Sequence, residues 1–368
     1  MLVSAVLKAA IVGCGKIADG HAAAIQAIGG CEIVGVCDRE PLMAKQLCER
    51  FPVKSCFASL NELLEQAKPD VVHITTPPEG HYELAKTCLE QGCNVYVEKP
   101  FTVYVWQAQE LIELAERKKL KLTVGHNYQF TPVARRMRAL VRSGYLGGPP
   151  VHMDSYYCYN LTDPSYAKAL LGEKNHWVRR LPGRLLQNII SHGIARIAEF
   201  LASDDLSVLA FGFVSPLLRG IGEQEIIDEL RVIIREQERA TAYFTFSTQM
   251  KPTMHEFRVY GPKNGLILDQ DHEILTRLWG GGFEGYAEKF RPSLSFTKQH
   301  IGNLATNLTL FLKRDFHMDS GMRYLIEAFH RSIREDAPVP IPYREILITG
   351  KVMDMIFDQL ATAGPQKF

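Results

Sequence analysis

No apolar run in this chain of 368 residues approaches the ~20 residues that a membrane-spanning helix needs. Charge of one sign is missing as well. The 42 Lys and Arg against 41 Asp and Glu leave a formal net charge of +1, so the chain as a whole has no field to attract nucleic acid or an anionic membrane. Neither C-x-x-C pairs nor zinc spacings occur, and no two histidines have convincing metal-ligand spacing, so no metal is expected. Of the 8 cysteines, Cys14, Cys31, Cys37, Cys48, Cys56, Cys88 and Cys93 fall on expected strands and helices before residue 100, where they read as small buried thiols of a cytoplasmic, reducing compartment. Internal repeats and low-complexity tracts are absent. The segment Met1 to Ala10 is faintly like a signal sequence, but it leads straight into a glycine turn and reads as structure.

That turn is the most informative stretch. The apolar run from Leu7 to Val12 reads as a buried strand, and Ala22 to Ile28 reads as helix. Between them stands G-x-G-x-x-A at Gly13, Gly15 and Ala18. Gly13 permits the sharp turn, Gly15 lets a pyrophosphate approach the backbone, and Ala18 lets the helix pack on the strand. Free N–H groups at the helix start would face the phosphates. A second strand, Cys31 to Cys37, ends in Asp38, about 25 residues after Gly13, near the distance expected for the acid that holds a ribose. Asp38 favours the 2′-hydroxyl of NAD, whereas Arg39 would tolerate the 2′-phosphate of NADP. A purely structural strand–turn–helix is the alternative.

Strand and helix alternate further along: helix Pro41–Phe51, strand Val53–Cys56, and a helix to about Ala67 with Ser59 and Glu62 as a capping box. Strand Asp70–Thr75, helix Glu79–Gln91, strand Asn94–Val97, helix Val103–Lys119 and strand Leu122–Gly125 follow, with a helix from Thr131 to Ser143. This alternation predicts an α/β fold, a doubly wound parallel sheet of Rossmann type covered on both faces. Gly144 to Pro150 breaks any regular element and sets the expected boundary between domains 1–148 and 149–368. Beyond it come strand Val151–Tyr159, an irregular stretch Asn160–Gly183, helix Leu185–Leu201, and strands at Ser207–Val214, Glu229–Arg235, Ala240–Ser247, His255–Tyr260, Gly265–Leu268 and Glu273–Trp279. A loop-rich segment should run from Gly280 to about His300, before helices near Asn303–Lys313, Gly321–Arg334 and Tyr343–Leu360. Grouped strands predict a C-terminal α+β domain with a mostly antiparallel open sheet.

Ligands of doubly wound sheets bind outside the carboxyl ends of the strands. Three such ends carry notable residues: Gly13-Cys14-Gly15, Thr75-Thr76-Pro77-Pro78 and Glu98-Lys99-Pro100. Pro100 stops the ladder and is a candidate for a cis bond turning Lys99 into a cleft. Beside an oxidised nicotinamide, desolvation and positive charge would lower the Lys99 pKa and suit it to proton transfer; a surface lysine is the alternative. Asn188 and His192 stand four apart in the later helix. Histidine suits the abstraction of a hydroxyl proton and asparagine can orient the hydroxyl, although a core or capping histidine would look the same. His176, Trp177, Arg179, Arg180 and Arg184 form a basic cluster beside an aromatic, fitted to an anionic or sugar-like ligand or else a solvated loop.

Together these motifs resemble the Gfo/Idh/MocA oxidoreductase family (glucose–fructose oxidoreductase, inositol dehydrogenase and relatives). The resemblance rests on Gly13 to Ala18, Thr75 to Pro78 with His81, Glu98-Lys99-Pro100, and Gly125-His126-Asn127-Tyr128-Gln129-Phe130-Thr131-Pro132 leading to Gly144-Tyr145-Leu146-Gly147, with the Gly183–His192 helix beyond. It implies an NAD(P)-binding domain contacted by Gly13, Gly15, Lys16, Ile17, Asp38, Arg39, Thr75, Thr76, Pro77, His81, Glu98, Lys99 and Asn127. It also implies catalysis by Lys99 and His192 with Asn188, and a substrate pocket walled by Tyr128, Trp177, Arg179 and Arg184. The chain departs from the family pattern at Arg184 (often Gly), Asn188 (often Asp), Ile190 (often a small residue), Ala195 (often Asp) and Gln129 (often Arg). The expected activity is hydride transfer between the nicotinamide and a hydroxyl of a sugar, cyclitol or sugar-derived acid. Alternatives within the resemblance are NAD-assisted hydrolysis or elimination without net redox, and a non-catalytic dinucleotide sensor. Expected partners are a small sugar-like substrate and a second copy of the chain as homo-dimer or homo-tetramer, with no nucleic acid and no membrane.

Overall fold

The computed structural model describes residues 6–161, 176–281, 285–316 and 320–363. The start of the expected N-terminal apolar run, positions 162–175 of the irregular stretch, and positions 282–284 lie outside the described residues. The chain forms two compact units: Met1–Asn127 with Gly321–Lys351, and Tyr128–Ser320 with Val352–Phe368.

The first unit contains β1 (Leu7–Val12), α1 (Lys16–Ala27), β2 (Cys31–Cys37), α2 (Pro41–Arg50), β3 (Cys56–Phe57), α3 (Leu60–Ala67), β4 (Val71–Ile74), α4 (His81–Glu90), β5 (Asn94–Val97), α5 (Val105–Lys118) and β6 (Leu122–Val124). The strands pair in the order β3-β2-β1-β4-β5-β6, and each pairing is parallel. The order reverses between β1 and β4, which makes their carboxyl ends the switch point where such sheets bind ligands. Helices on both faces let strands be apolar without alternation, and every residue of β4 is buried. The exception in kind is His73, a polar ring at 0 % exposure in the middle of β4. Ser59 caps α3 as expected, its Oγ accepting the Glu62 N–H at 3.3 Å.

The division into units differs from the expected boundary at 148. The first unit ends at Asn127 and takes in residues 321–351. Helix α11 (Ser320–Arg334) supplies the reason. A Cβ on Gly20 of α1 would lie 3.1 Å from the Met322 sulfur, and Arg334 donates to the carbonyl of Gly29 at 3.0 Å. The following helix α12 (Tyr343–Ala363) places the Tyr343 hydroxyl as acceptor for the Leu122 N–H at 3.2 Å. These contacts join segments far apart in sequence, and no local periodicity encodes them.

The second unit begins with α6 (Pro132–Arg142), capped by Thr131, and β7 (His152–Cys158). Short helices α7 (Arg184–Ile189) and α8 (Ser191–Ala198) replace the single expected helix, broken at Ile190. Strands β8 (Leu206–Phe213), β9 (Glu229–Glu236), β10 (Ala240–Ser247), β11 (His255–Tyr260), β12 (Asn264–Asp269) and β13 (Ile274–Trp279) complete the sheet, with α9 (Pro216–Gly220) between β8 and β9. The order is β13-β12-β11-β7-β10-β9-β8; β7 and β10 run parallel and the other pairs antiparallel, as the grouped strands predict. One face takes α8. Gly193 there sits so close to Phe244 that a Cβ would come within 2.3 Å of its ring, and Ser155 donates to the Gly193 carbonyl at 3.0 Å. On the other face Leu209, Ile233 and Tyr243 are register neighbours, exposed at 63 %, 45 % and 48 %.

The loop-rich segment expected from Gly280 to His300 is largely helix. Helix α10 runs over Ala287–Leu312 and contains Pro292. At the sixth position of the helix the proline removes one backbone hydrogen bond, so the helix forms despite a residue that disfavours its interior. The apolar residues Phe290, Leu294, Ile301, Leu304, Leu308 and Phe311 follow at spacings of three, four and seven, a helical period.

Candidate functional site

In the first unit the glycine turn is built as the spacing predicts. Gly13 lies at φ +96°, and a Cβ there would stand 2.8 Å from backbone atoms of Thr75 and Thr76, so β1 and β4 close on each other at a residue without a side chain. Gly15 is the N-cap of α1 with no side-chain cap, and a Cβ there would meet nothing within 4 Å. The helix therefore opens onto free space with unsatisfied N–H groups, the arrangement that receives a phosphate. Lys16 and Ile17 lie exposed in its first turn. Asp38 closes the other side of the turn: its Oδ2 accepts the Cys14 N–H at 2.7 Å and its Oδ1 the Glu40 N–H at 2.9 Å. Each oxygen keeps a lone pair for a ribose hydroxyl. Arg39 is exposed beside it.

The carboxyl ends of β4 and β5 are stapled by His81, whose Nε2 lies 2.8 Å from the Thr76 carbonyl and whose Nδ1 lies 2.9 Å from that of Pro100. Burial lowers the His81 pKa while those carbonyls act the other way. Thr75 Oγ1 lies 3.2 Å from the Val12 carbonyl and also contacts that of Gly13, and Pro77 is exposed at the rim. The buried Thr76 Oγ1 and Asn127 Oδ1 have no hydrogen-bond partner among the described residues. Unsatisfied buried polar atoms at a sheet's ligand edge, with an uncapped helix start over open space, fit a bound dinucleotide.

Lys99 follows β5 at this same edge, and the Lys99–Pro100 bond is cis. Burial lowers the Lys99 pKa from its ordinary value, with the Glu98 charge opposing. Burial pushes the Glu98 carboxyl up, yet the His21 hydrogen bond, the Lys99 charge and the Lys99 backbone N–H outweigh it and hold the group below its ordinary value. Glu98 Oε2 accepts that N–H at 3.1 Å. Gly125 makes room for this carboxylate, since a Cβ there would stand 2.5 Å from Oε1. The neighbouring His126 is driven down to about 4 by burial.

Behind Glu98 stands a group that motif reading does not find. His21 Nε2 lies 3.1 Å from Glu98 Oε1, His21 Nδ1 2.9 Å from His73 Nδ1, His73 Nε2 2.9 Å from His330 Nε2, and His330 Nδ1 3.4 Å from Cys31 Sγ. The available signal was a lone histidine within the apolar strand Val71–Ile74; its partner on α11 left none.

In the second unit His192 and Asn188 are buried, at 6 % and 7 % exposure, on consecutive helices. The His192 ring stacks on Tyr128 at 4.4 Å and more loosely on Tyr157 at 6.0 Å. Tyr157 meets His255 edge-on at 4.5 Å, and His255 Nδ1 pairs with Asp271 at 2.7 Å. Arg196, one turn beyond His192 and 3 % exposed, lies over Tyr128 at 5.9 Å. Trp177 and Arg179 lie on a 3-10 turn (Trp177–Arg180). Arg179 is paired with Glu223 at 2.7 Å, and Arg184 with Glu225 at 3.2 Å, so both guanidinium groups brace the segment before β9. Arg184 holds φ +47°, a conformation that favours the glycine common at this place. Two departures from the family pattern meet: Gln129 Nε2 donates to the Ala195 backbone carbonyl at 3.2 Å. Among the described residues no group of His, Cys, Asp and Glu is arranged to hold a metal, and no helix is long and apolar enough to cross a membrane.

Comparison with known proteins matches residues 7–126 to an oxidoreductase family with an NAD-binding Rossmann fold. D-glucoside 3-dehydrogenase of Escherichia coli (strain K12) is 33 % identical over 147 residues, 40 % of this chain and 42 % of that protein. Myo-inositol dehydrogenase Hyg17 of Streptomyces leeuwenhoekii is 28 % identical over 235 residues, 57 % of this chain and 71 % of that protein. The chain thus spans less than half the length of the glucoside dehydrogenase. In fold, the chain superimposes on WlbA dehydrogenase of Bordetella pertussis, solved with NADH and UDP-GlcNAcA, at a TM-score of 0.78 with 15 % identity and 100 % of both chains covered. With the glycine turn, the Asp38 lock and the Glu98-Lys99-Pro100 edge in place, residues 7–126 match the model of the Gfo/Idh/MocA oxidoreductase family, whose domain is an NAD-binding Rossmann fold.

Proposed function

We propose that the protein is an NAD(P)-dependent dehydrogenase that acts on a hydroxyl of a sugar, cyclitol or sugar-derived acid. The observation that carries this reading is the meeting, at one sheet edge of the first unit, of an uncapped helix start over open space with a half-buried lysine of lowered pKa. A bound nicotinamide dinucleotide supplies the hydride acceptor or donor. The chain supplies binding and proton handling. Gly13 and Gly15 leave room for the pyrophosphate, the α1 N–H groups hold it, and Asp38 takes ribose hydroxyls and disfavours a 2′-phosphate, so NAD is preferred. Lys99, whose pKa burial lowers from its ordinary value, is assigned to give or accept a proton in the reaction. His192 is assigned as the base for the substrate hydroxyl and Asn188 as its orienting group, with Tyr128, Trp177, Arg179 and Arg184 on the substrate side. A polyhydroxylated ring as substrate is supported by the names of the glucoside and myo-inositol dehydrogenases.

Steady-state absorbance at the reduced-nicotinamide band, over a panel of sugars, cyclitols and sugar acids, tests the assignment. Lys99→Ala and His192→Ala should each lower kcat by about a hundredfold or more, the usual contribution of a general acid or base. Full activity in both variants overturns it. Substrate turnover with tightly held cofactor and no net NADH would instead mark assisted hydrolysis or elimination.

Self-association belongs to the same proposal. The exposed row Leu209, Ile233 and Tyr243 and the apolar stripe of α10 are surfaces that a second copy would cover. Light scattering should give a dimer or tetramer that Ile233→Glu weakens. All eight cysteines are free, in keeping with the cytoplasm as the proposed compartment.

A further inference from the structure

We propose that His73 and His330 are positioning residues for the Glu98–Lys99 edge. With His21 they form a one-way hydrogen-bond chain that runs from the Cys31 thiol to the Glu98 carboxylate and holds that carboxylate as an acceptor. The inference rests on the proposed function only in giving this edge a role in the reaction; the chain itself is testable apart from turnover.

Proton counting gives the direction. A neutral imidazole has one N–H and one lone pair, and an ionised carboxylate only accepts. Starting from ionised Glu98, His21 must carry its proton on Nε2, facing Oε1 at 3.1 Å. Its Nδ1 is then bare, so His73 must donate from Nδ1 across 2.9 Å. His73 Nε2 is in turn bare and accepts from His330 Nε2–H at 2.9 Å. His330 Nδ1 is left to accept the Cys31 S–H at 3.4 Å. Each of the four contacts holds one proton, and no two donors or acceptors face each other. With the same number of protons the reverse direction needs a protonated Glu98 and a Cys31 thiolate, and burial pushes the Cys31 thiol up to about 11. A second proton on His21 would turn the two imidazole contacts round, leave His330 donating to sulfur, a weak acceptor, and set another cation near Lys99. Burial pushes His73 far down and His330 to about 3, so both stay neutral relays of orientation.

The rings have no freedom to adopt another arrangement. His21, His73 and His330 are each 0 % exposed. His73 stacks on Tyr96 at 4.9 Å with 11° between the planes, and crosses His21 and His330 edge-on at 5.2 Å and 5.1 Å. The titratable groups facing Glu98 are His21 from α1, Lys99 and Tyr96 on its own segment, His81 from α4 and His126 after β6. Those facing His330 are Cys31, Arg334 and the other two rings. His21 is hydrogen-bonded to Glu98 Oε1 at 3.1 Å. Its tautomer therefore decides whether Glu98 sees a donor or a lone pair, and α11 decides the tautomer.

Long-range proton–nitrogen spectra of the ligand-free protein at neutral pH, assigned with single-histidine variants, read the tautomers directly. The expected result is Nε2–H for His21 and His330 and Nδ1–H for His73. The opposite set, or a doubly protonated ring at any of the three, overturns the chain. His73→Phe keeps a ring over Tyr96 and removes both nitrogens. In that variant the Glu98 carboxyl, followed by carbon NMR without cofactor, should titrate about one pH unit higher, the size of effect of losing a hydrogen bond to the charged form. The acid limb of kcat/KM should move up with it, and Cys31→Ser, which keeps a donor, should leave both at the parental position. Parental tautomers together with an unmoved Glu98 titration in His73→Phe would overturn the positioning role. If no substrate turns over in any variant, the dehydrogenase reading fails, while the two spectroscopic measurements still decide the chain. Should His73→Phe fail to fold, the tautomers of the parental protein stand as the test.

Discussion

Alanine at Gly13 and at Gly15 should separate folding from dinucleotide binding. At Gly13 the backbone has φ +96°, where a side chain costs about 1–2 kcal/mol, and the new methyl would stand 2.8 Å from Thr75 C and Thr76 N. Main-chain atoms just past β4 cannot step aside cheaply, and overpacking of this kind adds about 1–3 kcal/mol. Gly13→Ala should therefore destabilise the protein by about 2–5 kcal/mol. At Gly15 the backbone is extended, φ −75° and ψ −172°, and a Cβ meets nothing within 4 Å. Gly15→Ala should leave the fold intact or stabilise it by about 0.4–1 kcal/mol through the unfolded chain. The same methyl would nevertheless occupy the approach to the α1 N-terminus. Losing one charge-assisted hydrogen bond to a phosphate costs about 1.5–3 kcal/mol, or roughly 10- to 100-fold in Kd. Urea unfolding followed by circular dichroism and fluorescence titration with NADH measure the two quantities. A Gly15→Ala protein that binds NADH like the parent would refute the placement of the pyrophosphate over this turn. A Gly13→Ala protein of parental stability would refute the claim that β1 and β4 close there.

Burial raises the Glu273 carboxyl to about 7, so the folded state favours its proton; the stability this supplies is complete below the ordinary value of 4.5 and lost as pH rises through about 7. Glu273→Gln keeps an acceptor for the Val133 N–H and should add up to about 3 kcal/mol at pH 8 and little at pH 4, read from urea midpoints at both. Gly193→Ala would drive a methyl to 2.3 Å from the Phe244 ring and should cost about 1–3 kcal/mol in the same measurement. Thiol titration with a disulfide reagent at pH 8 should show one fast cysteine, the exposed Cys56, because burial pushes Cys14 to about 12 and Cys31, Cys37 and Cys93 to about 11; loss of the fast phase in Cys56→Ser checks it. NADPH should bind at least tenfold more weakly than NADH, and Asp38→Ala should narrow that gap, since a carboxylate locked by two N–H groups repels a 2′-phosphate.

The dinucleotide half of the site was legible because its signals are local. Gly13, Gly15 and Ala18 are fixed by the steric needs of one turn, and Glu98-Lys99-Pro100 by the end of one strand. Ser59 and Thr131 announce their helices within four residues. The second half of α10 was expected near Asn303–Lys313, but its first half was hidden because Gly280-Gly281-Gly282 suggested loop, and the three-and-four spacing that shows the helix needs some twenty residues to emerge. Arg179 and Arg184 looked like open cations until Glu223 and Glu225 were placed beside them.

Short stretches of sequence were enough to specify the parallel sheet, the glycine turn and the residues at the strand ends, since each follows from the period or the backbone demands of a short segment. Long-range packing set the rest: residues 321–351 complete the first unit, Gln129 meets Ala195, and His330 reaches His73 across 257 positions of chain. Those pairings come from apolar faces burying one another, and the polar atoms caught between such faces must find partners wherever packing leaves them, which no local pattern can state in advance.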